Sequence, residues 1–334
     1  MPRVASGSAI FRPDLGITVM EFWEGPTMGY IGLELMPIFN TPEQSATYPV
    51  IPKEVLMKIP DVSRAPRGNY NRGDWNYERG KFSTSEKGWE EPVDDTERKL
   101  LDRESPGMAD LIATRRAMGH ILRAQEKRIA DKLFNASNFT AHAVTNEWDD
   151  ATNATPYDDI NDGILAFRSQ CGMLPDALVI AFSTLLDLRR CDQIISQIKY
   201  TFPGADINKM TTQQLAQILG VPRVLVGGSV YDAAKKNKTA SITDVWSNEY
   251  AGLVKISSGG ADLMEPGLGR TFLWTEDSPT NAIVEQYREE SVRSDIYRVR
   301  HHVDEALLKS YDDTGTTVSN ISAACMYLFS NITT

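Results

Sequence analysis

The spacing of apolar side chains divides the chain into stretches with different periods. Residues 1–47 hold short apolar pieces such as Tyr30–Met36, broken by Gly25-Pro26, Pro37 and Pro42, and this predicts an extended N-terminal arm. Residues 48–65 alternate loosely through Tyr48, Val50, Val55, Met57 and Ile59, as an exposed strand does. Residues 66–92 then run for 27 positions without Ala, Val, Ile, Leu or Met. Asp94-Asp95-Thr96 marks the cap of a short helix ending near Asp102. Ser105 followed by Pro106 supplies a capping hydroxyl and a proline suited to the first helical position. From Met108 the apolar residues fall at Leu111, Ile112, Met118, Ile121, Leu122, Ile129 and Leu133 with alanines between, which predicts one long helix over 106–135. Its polar side carries Arg115, Arg116, Arg123, Glu126, Lys127 and Arg128, read as a solvated face or as a subunit contact.

Downstream, helices and strands alternate. Thr155-Pro156 opens a helix that closes at Gly172, and residues 177–182 form an unbroken apolar strand. Ser183 caps a helix through Ile198, and Thr211 or Thr212 caps another ending at Gly220. Residues 221–226, 251–256 and 270–274 read as further strands. Several connections are too short for parallel crossovers, so the sheet is expected to be mixed. Residues 283–300 fit both periods; their β-branched and aromatic content predicts strands. Residues 316–329 read as a last strand.

Composition narrows the class. With 334 residues, 41% hydrophobic and 24% charged, the chain is an ordinary globular protein of one large or a few small domains. A net charge of −10 argues against a body that wraps DNA through its overall field. Cys171, Cys191 and Cys325 are widely spaced and odd in number, as free thiols of a reducing compartment are. No leader-like apolar core opens the chain, and no run of eighteen apolar residues is long enough to span a membrane.

The chemistry-bearing patterns are missing. Gly80-Lys81 is followed by Phe82 and does not complete a phosphate loop; Gly227-Gly228 does not complete a dinucleotide fingerprint. His120, His142, His301 and His302 lack metal-ligand spacing. The acidic run Glu147, Asp149, Asp150, Asp158, Asp159 and Asp162 is out of register for a calcium loop and is read as solvated. No catalytic, cofactor-binding or metal residue is therefore expected, and no cofactor.

The 66–92 stretch remains. It holds five aromatic, five basic and five acidic residues. A solvated linker is the plain reading, but linkers avoid aromatic rings. The sharper reading is an arm that orders against another subunit. Its candidate contacts are Tyr70, Arg72, Trp75, Tyr77, Arg79, Phe82 and Trp89.

The order of segments (irregular arm, aromatic and charged excursion, long helix, α/β domain, returning strands) resembles the major capsid protein of tailed bacteriophages. The stretches CGMLPDALVIAFSTLLDLRRCDQIISQIKY (171–200), LGVPRVLVGGSVYDAAKK (219–236), VWSNEYAGLVKI (245–256) and VEQYREESVRSDIYRVRHHVDEALL (284–308) carry the likeness. The resemblance implies an α+β tailed-phage major capsid fold: N-arm, extended β-hairpin loop, peripheral domain with a long spine helix, and axial α/β domain. On this chain it implies an N-terminal arm at 1–47, an extended loop at 48–93, and a peripheral domain with the spine helix at 94–154. An axial domain follows at 155–282, then returning peripheral strands at 283–334. The implied function is a non-enzymatic shell subunit of the virion, assembled in the host cytoplasm. Its implied partners are copies of itself in pentamers and hexamers, a portal and decoration proteins. It would enclose double-stranded DNA without reading its sequence, and it would need no membrane. Members often begin with a removable scaffolding region; its absence here implies a separate scaffolding protein or a processed chain. An encapsulin-like compartment shell shares the fold, and a soluble α/β enzyme with a lid loop is the alternative of another class.

Overall fold

The computed structural model describes residues 10–11, 29–50, 59–64, 66–73, 78–103, 107–201, 210–259, 263, 265–308 and 325–333. In chain order the elements are β1 (Ile10–Phe11), α1 (Gly32–Leu35), β2 (Ile38–Thr41), β3 (Ser45–Val50), β4 (Glu78–Ser83), β5 (Ser85–Asp94), α2 (Asp95–Leu101), α3 (Met108–Leu133) and β6 (Ala141–Ala143). They continue with α4 (Pro156–Cys171), β7 (Ala177–Ala181), α5 (Phe182–Leu188), α6 (Asp192–Thr201), α7 (Thr212–Leu219), β8 (Val224–Gly227), β9 (Val230–Asp232) and β10 (Ile242–Asp244). Last come β11 (Ala251–Val254), β12 (Gly269–Trp274), β13 (Ile283–Glu289), β14 (Ser294–Leu307) and β15 (Met326–Ser330).

Two sheets organise the molecule. The first has the order β1-β13-β14-β12-β2, with β5 also paired to β14. The second, mixed as expected, has the order β6-β15-β11-β7-β8. β14 is 14 residues long and holds the first sheet together: it pairs with β5 from Ser294 to Val303, with β13 from Ser294 to Arg300, and with β12 from Val303 to Leu307. Its alternation explains why the sequence there fits two periods. Tyr297, Val299 and Val303 are buried on the side that carries α3, and Ile296 and His302 are buried on the other.

The helix α3 is 26 residues long, about 39 Å at 1.5 Å per residue. It buries Ala109, Ala113, Ala117, Met118, Ile121 and Leu122 against Val284, Tyr297, Val299 and Val93 of the first sheet. Its C-terminal turns, with Ile129, Ala130 and Leu133, belong instead to a core shared with β7, β11 and Trp246. One helix thus spans both cores. On the second sheet, α4 packs over β15 and β11, where Gly163 lies so close that an added Cβ would meet Phe329 Cζ at 2.5 Å. The helices α5 and α7 cover β7 and β8, completing a third core around Ile160, Phe167, Leu188 and Leu215.

Several boundaries differ from the sequence reading, each because pairing is non-local. Residues 29–47 are not a free arm: β2 joins the first sheet in parallel with β12. The excursion expected over 48–93 ends earlier, since β5 is registered along ten residues of β14. β12 lies in the first sheet and not with the 155–282 strands, while β6 and β15 lie in the second. The helix expected from Ser183 to Ile198 is broken by Arg189–Cys191 into α5 and α6. Residues 316–324 of the expected last strand lie outside the described residues, as do Ser105 and Pro106.

A buried ion cluster ties β14 to α3. Glu305, 2% exposed, accepts from Arg128 Nη2 at 2.7 Å and Nε at 3.1 Å, and Lys87 Nζ of β5 lies 3.7 Å away. Burial pushes the Glu305 carboxyl up, but Arg128 and the lysines outweigh it and leave it below the usual range. His301 beside it contacts Asn281 O through Nδ1 at 3.2 Å and Arg128 Nη2 through Nε2 at 3.4 Å. Both contacts fit a neutral ring that donates from Nδ1. Burial, reinforced by the Arg128 charge, lowers its pKa from 6.5 to about 4.

Three outcomes follow. The unfolded chain protonates His301 before the folded one, so stability is full above pH 6.5 and falls as the pH drops toward 4; the gap corresponds to about 3 kcal/mol. Glu305, whose folded pKa is depressed, adds a loss of the same sign in acid. Urea unfolding from pH 7 to 4 should show this acid limb, and His301→Leu should make it shallower. Phe272→Ala, in a site with 0% exposure, should cost about 3–5 kcal/mol in the same assay. Replacing 59–73 by a short Gly/Ser linker should leave the unfolding transition in place, whereas replacing 66–92 removes β4 and most of β5 and should melt the subunit itself.

Candidate assembly surfaces

The excursion has a rigid base and an exposed tip. At the base, β3 and β4 pair from Ser45–Ser83 to Val50–Glu78. Phe82 stacks on Phe272 of β12 with centroids 4.2 Å apart and planes 3° from parallel. Tyr48 stacks on the same ring at 5.9 Å, and Phe39 meets it edge-on at 5.5 Å. Gly80 is required there, because an added Cβ would fall 2.4 Å from the Tyr48 ring. Phe82, expected at a subunit contact, is therefore committed to its own subunit.

The tip holds itself by polar contacts. Asp61 accepts from Ser63 N at 2.9 Å, Asn71 Nδ2 donates to Asp61 O at 2.9 Å, and Arg64 Nε donates to Gly68 O at 2.7 Å. The Arg64 guanidinium covers the Tyr70 ring at 4.6 Å. Outward from this frame stand Tyr70 at 72% exposure and Ile59 at 95%. Val62 and Arg72 are also exposed, and Arg79 is exposed on β4. Trp75 and Tyr77 lie outside the described residues. Ile59 and Val62 were passed over as contacts because Ile59 was read as the end of an exposed alternating strand and Val62 stands between Asp61 and Ser63; the signal is a β-branched residue where no core is within reach.

Trp89 lies elsewhere, on β5 against α3. Its ring is 4.9 Å from His120, and its Nε1 donates to Glu91 at 2.9 Å, while Arg116 of α3 lies 3.5 Å from the same carboxylate. The opposite side of the first sheet carries a charge ladder. Arg298 bridges Glu90 at 2.7 Å and Glu285 at 3.3 Å, in register across three strands, and Arg300 bridges Glu285 at 2.9 Å and Asp277 at 2.7 Å.

Glu126 departs from the sequence reading. It does not lie on a solvated helix face but is 4% exposed. Its carboxylate accepts from Ile31 N and Gly32 N, each at 2.9 Å, and from Trp246 Nε1 at 2.7 Å. Burial pushes its pKa up against those three donors. The arm, the spine helix and Trp246 of the bend before β11 thus meet at one carboxylate. A recess beside it is lined by Tyr30, Leu33, Leu122 and Gln125. The carboxylate is taken up by its three donors, and among the described residues no second carboxylate lines the recess.

The second sheet has an exposed hairpin, β9–β10, next to its β8 edge, and an exposed acidic stripe on α4, the helix that covers β15 and β11. No helix of the described residues is long and apolar enough to cross a membrane.

Comparison with known proteins bears on this arrangement. No family model matches the chain. The major capsid protein of Burkholderia phage BcepMu is 28% identical over 279 residues, covering 80% of this chain and 86% of that protein. A phage-related protein from Bordetella bronchiseptica superimposes with a TM-score of 0.68 at 20% identity, over 97% of this chain and 98% of the other. The mature capsid subunit of bacteriophage PhiM1 matches with a TM-score of 0.53 at 11% identity, over 88% and 85%. The chain has the tailed-phage major capsid fold that the order of its segments resembles, and its sequence is similar to that of a phage major capsid protein.

Proposed function

We propose that the protein is a major capsid protein, which assembles from copies of itself into the icosahedral shell of a phage virion around double-stranded DNA. The observation that carries this reading is a fold matched over 97% of the chain, with a sequence likeness to a phage major capsid protein over 80% of it. The role is structural and non-enzymatic. A subunit with an overhanging loop, a long spine and a separate second sheet meets several neighbours at once, and weak heterologous contacts repeated around rings close into a container. The loop tip, with Tyr70 and Arg72, lies over a neighbouring subunit, and residues 155–254 face the axes of pentamers and hexamers. A separate scaffolding protein guides assembly in the host cytoplasm, and portal and decoration proteins complete the particle. The net charge of −10 suits a wall that contains DNA without binding it tightly.

Expressed with its scaffolding partner, the chain should give hollow spheres in which cryo-microscopy resolves five- and six-fold rings. A compact monomer that never forms rings under those conditions would sink the reading. Arg72→Glu with Arg79→Glu should slow or misdirect assembly with unchanged circular dichroism. Each exposed pair is worth about 0–1 kcal/mol and is screened by salt, so the difference from the unaltered chain should shrink as salt rises.

A further inference from the structure

Two separate surfaces around the second sheet carry opposite chemistry. β8 is an edge strand and leads directly into the β9–β10 hairpin. The helix α4 lies over the face of the sheet on β15 and β11, with β7 between those strands and the β8 edge.

The hairpin has an inner and an outer side. Tyr231 faces in: it packs on the core around Trp246, and Lys127 of α3 lies 5.3 Å from its ring centre. Its neighbours in alternation face out, with Val230 46% and Ile242 67% exposed. The connection beyond them carries Lys235, Lys236 and Lys238, all exposed, in a chain whose net charge is −10. Asp232 is occupied by the hairpin itself, accepting from Ala234 N at 2.9 Å and Ser241 N at 2.8 Å. Asp244 stands exposed at the base.

On α4 the exposed residues Asp158, Asp162 and Leu165 follow at helical spacing, with Arg168 one turn further on. Along the hairpin the order is cation, apolar, anion: the lysines, Ile242, Asp244. Along α4 it is anion, apolar, cation: the two aspartates, Leu165, Arg168. The two series have comparable length. Lys238 to Asp244 spans at most about 20 Å, and Asp158 to Arg168 spans about 15 Å.

We propose that the lysine-tipped hairpin of one copy docks on the α4 stripe of the next copy, making a head-to-tail contact around a ring. The proposal rests on the capsid reading and supplies one of its interfaces. Two different patches, one beyond the β8 edge and one on the helix that covers the sheet, make the contact heterologous, the kind that closes rings instead of stopping at dimers. Lysine meets carboxylate at one end, Ile242 meets Leu165 in the middle, and Asp244 meets Arg168 at the other.

A charge swap tests it in the full-length chain, co-expressed with its scaffolding partner. Lys235→Glu with Lys236→Glu and Lys238→Glu should abolish rings and shells in sedimentation and negative-stain images while leaving circular dichroism and the melting transition unchanged. Asp158→Lys with Asp162→Lys should do the same. Combining both sets in one chain should restore rings. Normal shells from the lysine variant overturn the proposal, as they would if the lysines served only the enclosed DNA. Loss of rings that the combined chain does not recover also overturns it, since the lysines then meet another surface. If the unaltered chain forms no rings, the capsid reading falls, and the docking with it.

Discussion

The buried carboxylate of Glu126 is the constraint on which the relation of the parts depends. An ion of this size loses several kcal/mol of hydration on burial. The loss is offset only when charge-assisted hydrogen bonds replace the water, and three N–H groups from two distant segments do so here. Ile31 and Gly32 come from the N-terminal segment, Trp246 from the bend between β10 and β11, and Glu126 from the spine helix. The geometry demands glycine at two places. A Cβ on Gly32 would lie 2.5 Å from Glu126 Oε2. Gly29 has φ +63° and lies against Gly228, so that a Cβ there would fall 2.8 Å from the Gly228 Cα. Two glycines from distant segments thus bring the arm down onto the loop after β8 and leave its amides aimed at the carboxylate.

With the parts fixed to one another, charge is distributed by depth. Near the spine, Glu305 serves as the shared counter-ion of Arg128 and Lys87, with His301 neutral beside them. On the outer side of the same sheet, Arg298 and Arg300 share carboxylates in register and stay partly hydrated. The first arrangement resists acid poorly because Glu305 and His301 take up protons as the pH falls. The second adds little per pair, and suits a surface whose task is register rather than stability.

The legible parts of the sequence were those governed by local period. The spine helix, α4, α7 and its cap at Thr211, and the strands β7, β11 and β12 follow from spacing and turn chemistry within about ten residues. The fold, taken from the order of segments, was legible too. What was hidden depends on partners far along the chain. Residues 85–94 hold Trp89, Pro92 and Val93 among charges, and only their pairing with β14, two hundred residues on, makes them a strand. Phe82 looked like a contact residue because its ring partner, Phe272, is equally remote. Glu126 looked solvated because it sits between Gln125 and Lys127, and its donors lie 95 and 120 residues away in the chain. The β9–β10 hairpin was missed because Ala and Lys dominate its connection, without a turn-forming glycine, and its strands are three residues long.

The division of the excursion into stacked base and self-bonded tip bears on how a shell closes. Ordering a loop on contact costs about 1–2 kcal/mol per residue, which a few exposed side chains cannot offset. Asp61, Arg64 and Asn71 already hold the tip through its own backbone, so much of that cost is met within the subunit. Under the proposed capsid function, Ile59, Val62 and Tyr70 meet a neighbour from a frame that is already set. Contacts made this way remain weak individually, which lets a misplaced subunit leave. They are still specific, because the aromatic stack on Phe272 fixes where the loop departs from the sheet. A firmly seated base with a lightly loaded tip allows assembly to be both reversible at each step and secure once every ring is filled.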